Sequence, residues 1–103
     1  MPNYVLAFRG GSAAPTEAGQ AAAMDEWMQW FAKLADAVVD GGSQVGDSVT
    51  VSKSGDLTEG AVSQLSGYSI IKAADLKAAA DIAKGCPIFN VGGEVDVYET
   101  VGM

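Results

Sequence analysis

Residues 67–101, GYSIIKAADLKAAADIAKGCPIFNVGGEVDVYETV, decide how the chain is read. Tyr68, Ser69, Ile70 and Ile71 lie in a run of β-formers over residues 65–72, with Tyr68 and Ile70 on one face and Ser69 and Ile71 on the other. Asp75 then offers a side-chain acceptor to the free N–H groups of a first helical turn. Leu76, Ala79, Ala80 and Ala83 recur in a narrow stripe that suits close packing of a helix on a sheet. Gly85 accepts the left-handed conformation that ends a helix near Lys84, and Pro87 lacks the N–H needed to continue it. After Gly92-Gly93, residues 94–101 alternate as a strand, with Glu94, Asp96, Tyr98 and Thr100 on one face and Val95, Val97, Glu99 and Val101 on the other.

The N-terminal half supplies a matching unit. Residues 3–9 form a strand whose Tyr4, Leu6 and Phe8 face one layer while Val5 and Ala7 face another, the pattern of a strand covered on both sides. Over residues 18–40 the apolar positions Met24, Trp27, Met28, Phe31, Leu34, Ala35 and Val38 recur at spacings of three and four, which predicts a long amphipathic helix stopped by Gly41-Gly42. Trp30 falls at the border of that stripe, about 100° from Phe31, and is a candidate for a pocket wall or a subunit contact. Within residues 44–52, Val49-Thr50-Val51-Ser52 alternates as a second strand behind a bend at Gly46-Asp47, and residues 53–63 read as a loop or loose hairpin.

The resulting order, βαββαβ, is that of a split βαβ, ferredoxin-like α+β fold: a four-stranded antiparallel sheet with both helices on one face. The other face is left bare although the strands are apolar on both sides. A second copy of the same sheet is the simplest cover, so a homodimer is expected.

With 103 residues the chain has room for one domain, spanning residues 1–103. An apolar fraction of 49% with 18% charged residues belongs to a folded globular chain. Six basic against thirteen acidic residues give a net charge of −7, and the basic residues are scattered, which excludes nucleic acid and anionic lipid as partners. No stretch reaches the roughly 20 apolar residues of a membrane span. One cysteine and no leader pattern at the N-terminus point to a cytoplasmic address.

Tyr4-Val5-Leu6-Ala7-Phe8, the stretch from Leu65 through Ile71, the alanines at 79, 80 and 83 leading into Gly85-Cys86-Pro87, and Gly92-Gly93-Glu94-Val95-Asp96-Val97-Tyr98-Glu99 together resemble the YCII-related family, including its DGPF-type branch. The resemblance covers nearly the whole chain and implies a dimeric α+β barrel with a small cleft in each subunit. Two departures limit what it carries. Family members with a suspected catalytic centre use a histidine paired with an aspartate, and this chain has no histidine. The DGPF signature would fall on Gly55-Asp56-Leu57-Thr58-Glu59, without its proline or phenylalanine.

General acid or base work would then fall to carboxylates or tyrosines. If the valine face of the last strand packs on the helices, Asp96 and Tyr98 look toward the partner sheet. Arg9, the sole arginine, suits two-pronged binding of a small anionic ligand or an ion pair with a nearby acid. Tyr68 and Trp30 serve either an apolar pocket or the core. Cys86 follows a helix end whose negative pole raises a thiol pKa, which argues against a nucleophile. The residues offer no metal-ligand spacing and no phosphate loop, so neither metal nor cofactor is expected. Two functional readings stay open. One is a homodimeric small-ligand-binding or accessory protein. The other is a small cofactor-independent enzyme, an isomerase, lyase or hydrolase, acting on an anionic substrate in the barrel cleft.

Overall fold

The strand β1 (Asn3–Gly10) pairs along both edges, antiparallel to β5 (Leu65–Lys72) on one side and to β6 (Gly93–Glu99) on the other. A further strand, β2 (Val38–Gln44), pairs antiparallel with β5, so the sheet order is β2-β5-β1-β6. Two short strands, β3 (Val49–Val51) and β4 (Leu57–Glu59), form a separate hairpin between β2 and β5. The helices are α1 (Glu17–Leu34) and α2 (Leu76–Ala83), and single 3-10 turns follow them at Ala35–Ala37 and Pro87–Val91. The structure is a computed structural model and describes residues 1–12, 15–60 and 65–101. Parts of the two expected loops, at 13–14 and 61–63, lie outside the described residues. Among the described residues no helix is long and apolar enough to cross a membrane.

The two-residue period of β1 sorts its side chains into two layers. Tyr4, Leu6 and Phe8 are buried with Ile71 of β5, and they join Trp30 of α1 and Ala79 and Ala83 of α2 in one cluster. Register places Val97 opposite Leu6 and Val95 opposite Phe8, so the valines of β6 pack against the same cluster, as their alternation predicts. Leu6 and Ile71 are wholly removed from water, worth about 1.5–3 kcal/mol each. Trp27 meets Phe8 edge to face at a centroid distance of 5.0 Å and Trp30 at 5.8 Å. Ser69 is the buried polar residue of this layer, and its hydroxyl donates to the Gly41 carbonyl at 2.8 Å. Both helices carry side-chain caps: Thr16 Oγ1 accepts from the Gly19 N–H, and Asp75 Oδ1 accepts from the Ala78 N–H at 2.7 Å.

The expected element boundaries are corrected here. The first helix ends at Leu34, not near Asp40, and the second strand of the main sheet is Val38–Gln44. Ala35 takes a positive φ of 50° that breaks the helix, and the β-branched pair Val38-Val39 then enters the sheet edge. Val38 happens to extend the three-and-four spacing of α1, so periodicity alone runs the helix too far. Gly41-Gly42 is therefore no helix stop. It lies where the β2–β5 register slips between Asp40 and Ser43. Gly42 has φ +76°, its N–H donates to Asp40 Oδ1 at 2.8 Å, and a Cβ there would fall on the Tyr68 carbonyl. The strand expected at Val49 is real but belongs to the hairpin.

The other layer of β1 is Val5, Ala7 and Arg9, in register with Ile70 and Tyr68 of β5 and with Tyr98, Asp96 and Glu94 of β6. Both helices belong to the opposite layer, and the molecule measures 45 × 41 × 18 Å. Its radius of gyration of 15.1 Å exceeds the roughly 13 Å of a compact chain of this length. The bulge at Gly42 makes a prediction: Gly42→Ala will cost at least about 2 kcal/mol, on the order of 10 °C in melting temperature. Gly41→Ala, with nothing within 4 Å of its new methyl, will fall within about 0.5 kcal/mol of wild type in the same thermal scans.

Candidate functional site

On the open layer, Arg9 and Asp96 grip each other. Arg9 Nε donates to Asp96 Oδ2 at 2.6 Å and Nη2 donates to Oδ1 at 3.1 Å, with Glu94 Oε2 3.8 Å from Nη2. The sheet itself creates this pair: Arg9 stands opposite Glu94 and Ala7 opposite Asp96, so Arg9 and Asp96 are diagonal neighbours on one face. The hydrogen bond to Asp96, and then its charge, raise the Arg9 pKa above the ordinary arginine value, while partial burial works weakly against them. The two side chains are 36% and 37% exposed. Tyr68, half-buried, lies beside Ala7, and the exposed Tyr98 lies beside Val5.

Four candidate residues, Arg9, Tyr68, Asp96 and Tyr98, thus share the open face. Trp30 does not join them. It is 7% exposed in the core, against Trp27, Phe31 and Gly85. Arg9 and Asp96 thus meet in a two-pronged geometry, each the other's hydrogen-bond partner.

A cleft of about 600 Å³ opens on the opposite layer, at the end of β1. Phe8 and Trp27 form its apolar floor, Met24 stands on the α1 side, and Pro87, Ile88 and Val91 form the far wall. Ser12, Gln44 and Ser66 bring polar groups to it, and Ser66 Oγ donates to the Phe8 carbonyl at 3.2 Å. Gly10 and Gly11, with φ of +73° and +81°, turn the chain there. A methyl on Gly11 would come within 3.1 Å of Ile88 and 3.2 Å of Val91, so glycine keeps this rim close to the far wall. Asn90 Nδ2 donates to Glu26 Oε2 at 3.0 Å and ties the 3-10 turn to α1. No lysine or arginine lines the cleft among the described residues. Its volume falls within the range of small-molecule sites, and it is open to solvent on one side.

Sequence reasoning missed this cleft. Trp27, not Trp30, is its tryptophan, and its walls come from a β–α loop and a 3-10 turn that leave no periodic signal. The i, i+3 pair Met24 and Trp27 was the trace available, but both had been assigned to one buried stripe, whereas Met24 is exposed. Among the described residues no group of three or more histidine, cysteine, aspartate or glutamate side chains could hold a metal ion. Comparison with protein-family models, with curated proteins and with solved structures found no match.

Cys86 is buried behind the cleft wall as the residue that starts the Pro87–Val91 turn. Burial pushes its thiol up to about 11, with a hydrogen bond from the Ile88 backbone pulling the other way. Burial, not the negative end of α2, is the leading cause. The native protein at pH 8 will therefore react with a disulfide reagent on the order of a hundredfold more slowly than the urea-unfolded chain. Equal rates in the two states would contradict the buried placement.

Proposed function

We propose that this chain is a homodimeric small-molecule-binding protein of YCII-related type, and that the Phe8–Trp27 cleft is its ligand seat. The observation that carries the reading is an aromatic-floored cleft with polar rim groups and, among the described residues, no cation, while the sole arginine is engaged on the opposite layer. The sheet order β2-β5-β1-β6 and the single core shared by both helices support a split βαβ, ferredoxin-like arrangement. The bare face of that sheet supports face-to-face pairing as a dimeric α+β barrel.

The cleft's chemistry revises the ligand. A small anion fits poorly beside Glu26 in a chain of net charge −7, and Arg9 does not reach this layer. The ligand that fits is an uncharged, flat, partly apolar molecule that stacks near Trp27 and hydrogen-bonds at Gln44 and Ser12. Binding without chemistry is favoured over the enzyme reading because Arg9 and Asp96, its acid–base and orienting groups, are committed to each other.

A panel of neutral heteroaromatic and anionic metabolites, read by thermal shift and tryptophan fluorescence, tests the reading. Neutral compounds are expected to stabilise the protein and perturb the fluorescence. Met24→Glu will weaken those hits by about tenfold or more, while Arg9→Ala leaves them unchanged. Hits confined to anions and abolished by Arg9→Ala would place the ligand on the sheet face instead and defeat the proposal.

A further inference from the structure

The far wall of the cleft turns on one side chain. Gly10, at the end of β1, stands opposite Gly93 of β6, and Gly11 follows it, so the strand pair ends in a patch without side chains. Ile88 occupies the notch this leaves. A Cβ on Gly93 would fall on Ile88 Cγ1 and lie 3.0 Å from its Cδ1, and one on Gly11 would lie 3.1 Å from the same Cδ1. Gly93 has no positive φ, so its missing side chain serves this close approach and not a turn. Ile88 is 7% exposed, yet it lines the cleft together with Gly10 and Gly11.

The turn that carries Ile88 is held to both helices. Its leading residue, Cys86, donates its N–H to the Ala83 carbonyl of α2 at 3.0 Å, and Asn90 holds Glu26 of α1. The other walls differ. Met24 is 66% exposed and has room to turn aside, while Phe8 and Trp27 brace each other edge to face. We infer that Ile88 is a plug that sets the size of molecule the cleft accepts. The inference rests on the ligand-seat reading of the cleft and adds the residue that limits its ligand. Shortening Ile88 opens space that Gly10, Gly11 and Gly93 have no side chains to refill, so the void persists and joins the cleft.

The test titrates full-length wild type, Ile88→Val and Ile71→Val with quinoline and acridine, flat heteroaromatics of two and three fused rings, by ligand-observed NMR at pH 8, where both probes are uncharged. Ile71→Val is the control, because it trims the same core cluster at a wholly buried position that does not line the cleft. Each substitution removes one methylene and keeps the β-branch, so thermal unfolding will show both variants folded. Ile88→Val is expected to raise the preference for acridine over quinoline by about tenfold, the worth of one methylene in an apolar pocket, and Ile71→Val to keep the wild-type preference. An unchanged preference in Ile88→Val overturns the plug and leaves the cleft standing as a ligand seat. An equal rise in Ile71→Val would mean a general loosening of the core and also overturns it. Failure of both probes to bind either wild type or Ile88→Val defeats the ligand-seat reading, and the plug with it.

Discussion

Everything in this protein depends on β1 being paired along both edges and apolar on both faces. A strand so placed is the centre of a sheet, and its two-residue period commits Tyr4, Leu6 and Phe8 to one layer and Val5, Ala7 and Arg9 to the other. Among the described residues two helices are available to cover these layers, and both go to the first. The tryptophan–phenylalanine contacts and the small residues of α2 make that layer dense. The second layer keeps only what side chains can do for one another, which explains why the sole arginine and an aspartate are locked together there.

The Arg9–Asp96 pair shows how a sheet can settle a functional question. Sequence alone gives an arginine and a carboxylate two strands apart in meaning, one as an anion anchor and the other as a base. Register makes them diagonal neighbours, and a two-pronged bond joins them. The space left for a ligand is on the opposite layer, where the β1–α1 loop and the turn after α2 stand apart over Phe8 and Trp27. The cleft and the open face thus fall on different sides of one sheet.

What was legible in the sequence was whatever a short period encodes. The alternation in residues 65–72 and 94–101 separated Tyr68 from Ile71, and Asp96 and Tyr98 from the valines, as the register has it, and the Asp75 cap and Pro87 bracket α2, although Gly85 does not take the left-handed conformation expected of it. The end of α1 was not legible, because Val38 keeps helical phase while Ala35 breaks the helix through a backbone angle that its residue type does not announce. The role of Gly42 depends on the Tyr68 carbonyl across the strand pair, a contact made only by the fold. The cleft was invisible for the same reason: its walls are distant in sequence and irregular in structure. Trp27 and Trp30, three residues apart, differ in place because one meets Phe8 at the cleft and the other meets Gly85 in the core.

Both helices lie on one layer of the sheet, and Val49, Val51 and Leu57 of the hairpin are exposed, which is the ground for the proposed homodimer. The direct measurement is the mass of the wild-type protein in solution by sedimentation equilibrium at micromolar concentration. Twice the chain mass is the result this account requires, and a single-chain mass that persists to high concentration would contradict it.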